Sequence, residues 1–522
     1  MGSTSSLKSS PSAAAIRVLL MCSLVLASGA SHAKNVIFFL GDGMGISTVT
    51  AARIFAGQSA GATGEEYDLA FDRFPHLALI KTYNTNAQVP DSAGTITAIT
   101  TGEKTRIGVL GVNGSVERDD CAAALTNTLP TLAELAEQKG MSTGIVSTAR
   151  ITHATPAGAY AHSPNRNWES SASTPDEAEA LGCKDIALQL VEMSHGDGLD
   201  VILGGGRREF LPIEADDPEY PSRPGLRDDS RNLIDEWLAA DSKRQFIILG
   251  GGRREFLPIE VDDPEYPSRP GLRDDSRNLI DEWLVADSKR QFTWRGDEFA
   301  QWLASNEPVD GQLMGLFEPS HMKYEADRQR DPGKEPSLQD MTALAVKQLA
   351  ENDQGYFLLV EAGRIDHAHH FSNAYRALTD TVALSDAVQW AVENVDLADT
   401  LIVVTADHSH TMTISGYPRR GNPILGTVET EPGKPILDAT GVPYTTLSYA
   451  NGPGYKKQRP NLSKINTQDP DYQQLGTVPT QSETHAGEDV AAFAVGQNAA
   501  AVRGVMEQNR LYDVMYDVLI AP

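Results

Sequence analysis

The sequence predicts an α/β fold: a mostly parallel central sheet flanked by helices on both faces, with a smaller loop-rich, crown-like subdomain inserted late in the chain. Three observations lead there. Short apolar runs alternate with helical patterns along most of the length, which is the βαβ rhythm of a parallel sheet. The runs are continuous instead of alternating with polar residues, so both of their faces should be buried. A chain of 522 residues with 40% apolar content can also fill a large core.

The strand candidates are residues 35–40, 143–147, 200–203, 356–360 and 400–405, each rich in Val, Ile, Leu or Phe and each followed by polar residues or glycine. Helical patterns cover 131–139, stopped by Gly140, then 337–351 and 373–393, and a shorter helix-like run spans 93–101 before Gly102. Residues 415–480 are rich in Gly, Pro and Asn without strong periodicity, which marks the inserted subdomain. Residues 201–246 recur as 247–292 with three changes, Val201/Ile247, Ala215/Val261 and Ala239/Val285. Two copies do not build a solenoid. A local duplication, leaving one strand and one helix surplus, is the simpler reading.

At the N-terminus, Lys8 and Arg17 precede an apolar run over 18–27 and a small-x-small site at Ser31-His32-Ala33. This is the pattern of a secretory signal over 1–33, with the mature domain at 34–522. The run is too short for a spanning helix, and no later segment approaches the roughly 20 apolar residues a span needs. The expected product is exported, to a periplasm or beyond the cell. Cys22 would leave with the signal, and an oxidising compartment favours a disulfide between Cys121 and Cys183 over two free thiols. A net charge of -27 argues against a nucleic-acid partner, which calls for clustered Lys and Arg.

The chemistry-bearing residues fall just past the strand ends, the edge where open α/β sheets bind ligands. Asp42 follows the first strand within Gly41-Asp42-Gly43-Met44-Gly45. Glu361 ends the 356–360 run, and Asp366 and His370, four apart on a helical turn, share a face and can grip one metal. Asp407 and His408 follow the 400–405 run, and His485 precedes another apolar run at 490–495. Singly, each is as well explained by a turn or a cap. Jointly, at one sheet edge, they read as metal ligands. Ser92 heads the 93–101 run, where helix N–H groups and the positive dipole end suit an attacking alkoxide and a phosphate. Arg166 offers a planar cation for that phosphate, while Thr152, His153 and Thr155 bring a hydroxyl and an imidazole into one post-strand loop.

Together these segments resemble the alkaline phosphatases from Lys34 nearly to the C-terminus, apart from one repeat copy. The resemblance implies two zinc ions, one held by Asp366, His370 and His485 and the other by Asp42, Asp407 and His408. It further implies one magnesium ion held by Asp42, Thr155 and Glu361. His153 and His367 look like the animal-type version, in which His153 reaches magnesium through water, and Cys121 with Cys183 matches a disulfide of that branch. A calcium site would correspond to the Phe317 carbonyl, Glu318, Glu335 and either Glu219 or Glu265. The implied activity is hydrolysis of small phosphate monoesters through a phosphoserine, with an alkaline optimum, by a homodimer. A sulfatase would need a Cys/Ser-x-Pro-x-Arg segment, whereas Ser92 is followed by Ala93-Gly94-Thr95. Phosphodiesterases and a non-catalytic phosphate- or metal-binding protein are the remaining alternatives.

Overall fold

Strand Asn35–Gly41 (β1) is buried at every position and is the centre on which the rest is assembled. In the computed structural model it pairs in parallel with Tyr356–Ala362 (β8) on one side and Thr400–Thr405 (β9) on the other. The structure describes residues 1–2, 34–217, 220, 223–241, 244–249, 290–293, 299–300, 303–305, 311–331 and 334–521. The expected signal segment, Glu219, Glu265 and most of the second repeat copy lie outside the described residues. Residues 33–522 form one compact unit.

The remaining strands of the eleven-stranded sheet are His76–Lys81 (β2), Ser142–Arg150 (β3), Val201–Gly205 (β4), Gln245–Leu249 (β5), Arg290–Thr293 (β6), Leu313–Leu316 (β7), Val490–Gly496 and Gly504–Glu507. Their spatial order is Gly504–Glu507, β2, Val490–Gly496, β9, β1, β8, β3, β4, β7, β5, β6. Most neighbours run parallel, but Val490–Gly496 is antiparallel to both β2 and β9. β2 alternates between exposed and buried positions and lacks the continuous apolar signature of β1 or β9, whereas Val490–Gly496 is an apolar run whose positions alternate between buried and half-buried. For that reason β2 escapes a search for unbroken apolar runs.

Two groups of helices pack on the sheet. Leu338–Leu349 and Ala374–Asn394 pack on each other and over β3 and β8, while Arg510–Leu519 packs on β1 and against Ser92–Thr101 (α2). Their starts are fixed by polar caps that the sequence displays. Ser337 and Thr131 each form a reciprocal capping box, and Asn373 accepts a hydrogen bond from the Arg376 N–H. Ile46–Ser59 (α1) is also helical, although its glycine, serine and threonine content gives it no clean apolar stripe. Residues 415–480 contain little regular structure: Leu447–Gly452 and Gly476–Pro479 join Met412–Ile414 in a three-stranded sheet, beside the short pair Glu429–Glu431 and Lys434–Pro435. Among the described residues, no helix is long and apolar enough to cross a membrane.

The repeat is resolved by the sheet in an informative way. β4, which opens the first copy, lies inside the sheet between β3 and β7. β5 straddles the junction of the two copies and pairs with β7, whereas β6, the end of the second copy, is the outermost strand. The first copy is also tied to residues outside the repeat: the buried Arg227 guanidinium donates to both oxygens of Asp185 at 2.9 and 3.0 Å. Asp185 is not duplicated, so a second copy cannot reproduce that pair. Deleting residues 247–292 joins Phe246 to Thr293 and lets one strand continue beside β7. The expected product unfolds cooperatively with a thermal midpoint within about 5 °C of the parent; loss of the cooperative transition would mean that both copies are integrated.

Candidate active site

The order β9, β1, β8, β3 places four strand ends side by side, and the polar residues that follow them meet at one edge. Leu40 near the end of β1 is in register with Glu361 of β8 and Thr405 of β9, and Ser147 of β3 is in register with Glu361. Asp42, Glu361, Asp407 and His408 are consequently neighbours, and all four are buried. The turn after β1 is tight. Gly43 has φ +67, its N–H donates to Asp407 Oδ1 at 3.0 Å, and a Cβ there would run into the His410 ring.

Helix Arg364–His370 follows β8 and turns Asp366 and His370 toward this edge. Asp366 Oδ1 lies 3.3 Å from His370 Nε2 and 3.3 Å from His485 Nε2, and the two Nε2 atoms are themselves 3.3 Å apart. Ligands about 2.0–2.1 Å from a tetrahedral ion are separated by about 3.3 Å, so this triangle has the edge length of a metal site. The other ring nitrogens fix the tautomers: His485 Nδ1–H donates to the Pro90 carbonyl at 2.8 Å and His370 Nδ1–H to the Glu483 carbonyl. Both Nε2 lone pairs are thereby left to face inward.

A second group sits beside it. His408 Nε2 is 3.4 Å from Asp42 Oδ1 and 3.3 Å from Asp407 Oδ2. A third gathers Asp42, His153 and Glu361. Here Asp42 Oδ2, Glu361 Oε1, His153 Nδ1 and Thr155 Oγ1 are buried and meet no hydrogen-bond partner among the described residues. Buried polar atoms without a protein partner, three of them on residues gathered in one cluster, are suited to coordinate a cation. Burial, followed by repulsion from Asp407, Asp366 and Glu361, pushes the Asp42 carboxyl well up; burial pushes Glu361 up to about 8. Burial also keeps His408 and His153 neutral, the form in which imidazole binds metal.

Ser92 opens α2, with Asp91 as its cap accepting the Gly94 N–H at 3.1 Å. The Ser92 hydroxyl is 3.2 Å from His408 Nε2 and 3.4 Å from Asp42 Oδ1. Arg166 is held by Asp91 Oδ2 at 3.1 Å and donates to His153 Nε2 at 3.1 Å. Ser92, Arg166, His153, Asp366, His370 and His485 open onto one cavity of about 320 Å³.

Two residues that the sequence reading passed over belong to this centre. His410 Nε2–H donates to Asp366 Oδ1 at 2.7 Å, and its Nδ1–H donates to Glu483. Against its burial, those carboxylates push His410 up to about 10, so it is an imidazolium that anchors Asp366. The signal was present in His408-Ser409-His410, because alternate residues of extended chain share a side. Away from the centre, Glu318 and Glu335 come together with Asp331, which the sequence reading did not select, and the Lys323 ammonium sits among the three. Cys121 and Cys183 form a disulfide whose Cα atoms are 6.0 Å apart, packed against Trp168.

A multi-metal hydrolase is the class that this fold and these ligand clusters define. Residues 33–247 and 242–521 each match the family described as "Alkaline phosphatase", the two spans overlapping at the junction of the repeat copies. The chain is 42% identical over 497 residues to the tissue-nonspecific alkaline phosphatase isozyme of Gallus gallus, covering 94% of this chain and 85% of that one. It is 40% identical over 491 residues to alkaline phosphatase of Gadus morhua, covering 93% and 91%. The solved alkaline phosphatases of Thermus thermophilus (TM-score 0.58, 21% identity, 94% and 92% covered) and of the Antarctic bacterium TAB5 (TM-score 0.56, 20% identity, 94% and 99% covered) share its fold. The chain belongs to the alkaline phosphatase family, in its animal-type branch, and is a hydrolase of phosphate monoesters.

The segment carrying Arg166 is latched by a buried ion pair. His162 Nδ1–H donates to the Gly111 carbonyl at 2.8 Å and Nε2 faces Glu134 Oε1 at 2.8 Å; His195 Nδ1 approaches the same oxygen at 3.4 Å. Two acceptors require two N–H groups, so His162 is protonated here. Burial lowers its pKa, but the Glu134 bond and charge and the Gly111 carbonyl outweigh that and raise it; burial raises Glu134, and His162 outweighs it. The raised histidine contributes stability that is complete below its unfolded value, about 6.5, and is lost as pH climbs through its folded value. The lowered carboxylate contributes above its unfolded value, about 4.3. The difference in thermal midpoint between the parent and H162Q is expected to be largest between these values and to shrink at higher pH. A difference that is flat with pH would show that the imidazole is neutral.

Proposed function

We propose that this phosphate monoesterase works through a phosphorylated Ser92, with two zinc ions and one magnesium ion around it. The observation that carries this reading is the Ser92 hydroxyl at the head of α2, within 3.2 Å of His408 Nε2 and 3.4 Å of Asp42 Oδ1, both members of the ligand clusters. Asp366, His370 and His485 would hold one zinc, and Asp42, Asp407 and His408 the other. Asp42, Thr155 and Glu361 would hold magnesium, with His153 reaching it through water. The 3.3 Å ligand triangle and the orphaned atoms of Asp42, Glu361, His153 and Thr155 support this assignment. When bound, such ions supply Lewis acidity and lower the proton affinity of a coordinated hydroxyl or water.

The chain's own groups do the rest. Asp91 aims the Arg166 fork so that its free N–H groups take nonbridging phosphate oxygens, a match for a terminal dianionic phosphate. The positive dipole end of α2, which Ser92 opens, would lie beside the phosphorus. Ser92 Oγ bonds to phosphorus as the ester oxygen departs with a proton, and water then releases phosphate and restores the serine. Because the nucleophile must ionise and the ligands stay deprotonated, the optimum is alkaline.

We further infer export, supported by the N-terminal pattern and the disulfide, and a homodimer, for which the exposed Leu77, Leu79 and Val505 offer an apolar face. A calcium ion at Glu318, Glu335 and the Phe317 carbonyl would have to displace Lys323.

S92A is expected to lower kcat at least about 1,000-fold and to abolish the phosphoenzyme while leaving metal content unchanged; loss of metal would make the serine structural. Chelation is expected to remove activity on p-nitrophenyl phosphate, with zinc required for its return and magnesium raising it further. Equal or faster hydrolysis of the bis-p-nitrophenyl ester would overturn the monoesterase reading.

A further inference from the structure

Helix Arg364–His370 carries two members of the first ligand triangle, yet it is only seven residues long and its N-cap, Gly363, makes no side-chain cap bond. A helix that short does not hold its own shape in water. Its rotation, and with it the aim of Asp366 and His370, must be fixed from outside. Ligands that are in place before an ion arrives bind it more tightly than ligands the ion has to order.

His369 supplies such a brace. One residue from His370, it is turned about 100° around the helix axis, away from the triangle, and it is buried. A hydroxyl from a different part of the chain meets each of its ring nitrogens. Nε2 lies 3.0 Å from Thr48 Oγ1 on α1, and Nδ1 lies 2.8 Å from the Tyr449 hydroxyl on strand Leu447–Gly452. A neutral imidazole gives one hydrogen bond and takes one, and a hydroxyl can do either, so both ends of the ring are satisfied. The ring stacks on His410, with centroids 4.8 Å apart and planes 30° apart, and the Tyr449 ring crosses it at 66°.

These contacts reach the ligands by two routes. The helix backbone joins His369 directly to His370, and the stack joins it to His410, which donates to Asp366. Tyr449 is itself fixed: it is buried, it pairs with Met412, and its N–H donates to the Leu475 carbonyl at 3.0 Å. The same loop-rich stretch grips the exit of the helix. The Gln474 N–H donates to the Ser372 carbonyl at 2.8 Å, and the Gln474 side-chain oxygen accepts the Ala374 N–H at 2.7 Å. Residues 415–480 thus hold the flank and the exit of the helix while contributing no member of the ligand clusters among the described residues. Removing either hydroxyl leaves a buried ring nitrogen unpaired, and the ring then gains by turning out of its stack. We propose that His369 is a positioning residue for the metal site of Asp366, His370 and His485, oriented by Thr48 and Tyr449, so that the 415–480 stretch sets how tightly that site holds its ion. This rests on the two-zinc reading and adds what positions one of the two sites.

Release of zinc from the fully loaded enzyme to a chromophoric chelator tests it. Y449F and T48V each delete one hydroxyl with little change of shape, whereas T48S keeps the hydroxyl and trims a methyl group. The phase missing from H370A identifies zinc leaving the Asp366 site. That phase is expected to run about tenfold faster in Y449F and T48V, the lower end of what loss of an outer-shell partner does to metal affinity. The other zinc should leave at the parent's rate, and T48S should match the parent in both phases. Unchanged release in Y449F and T48V, or equal acceleration of both phases, which marks a general loosening, overturns the proposal. If Y449F does not fold, the comparison of T48V with T48S decides alone. A parent enzyme that binds no zinc would instead overturn the two-zinc reading.

Discussion

Crowding of buried carboxylates at one sheet edge is the constraint on which the rest of the structure depends. Asp42, Glu361, Asp366 and Asp407 are all buried within reach of one another. Like charges in a region of low dielectric repel strongly and lose their hydration, so this arrangement persists only with compensation. Some of that is built into the chain: the Gly43 and His408 N–H groups donate to Asp407, Ser147 donates to Glu361, and the His410 imidazolium holds Asp366. The remainder falls to cations, and the unpartnered atoms of Asp42 and Glu361 mark where the chain stops compensating for itself.

The fold makes this crowding unavoidable. Parallel strands all end at the same edge, and β9, β1 and β8 are adjacent, so Asp42 just past β1, Asp407 just past β9 and Glu361 near the end of β8 must meet. The apolar bodies of these strands, buried on both faces, provide the driving force that keeps the ends together. The substrate-facing groups are held less centrally. Ser92 is carried by a helix start whose cap, Asp91, also orients Arg166. The loop bearing Arg166 is fastened below by His162 and Glu134 and laterally by the disulfide against Trp168.

The duplicated segment illustrates how such a scaffold tolerates an insertion. The first copy makes partners beyond the repeat, as Arg227 does with Asp185, while β6, where the second copy ends, is the outermost strand. An edge accepts another strand because its N–H and C=O groups are otherwise unpaired, and the distant catalytic edge residues keep their register.

Composition and local pattern alone determined the buried parallel strands, the capped helices at Thr131, Ser337 and Asn373, and the short motifs around Asp42, Ser92, Asp366 and Asp407. Each of those is a statement about neighbours in the chain, such as unbroken apolar runs, a cap three residues before a helical pattern, or a four-residue spacing on one helical face. The antiparallel placement of Val490–Gly496, the anchoring of Asp366 by a His410 that Glu483 holds, the entry of Asp331 and Lys323 into one acidic cluster, and the meeting of Arg150 with His321 were decided only by tertiary structure. His410 and Asp366 are 44 residues apart, and Arg150 meets His321 across 171. No local propensity encodes such meetings, because they follow from which strands lie side by side, and that is set by the packing of the whole core.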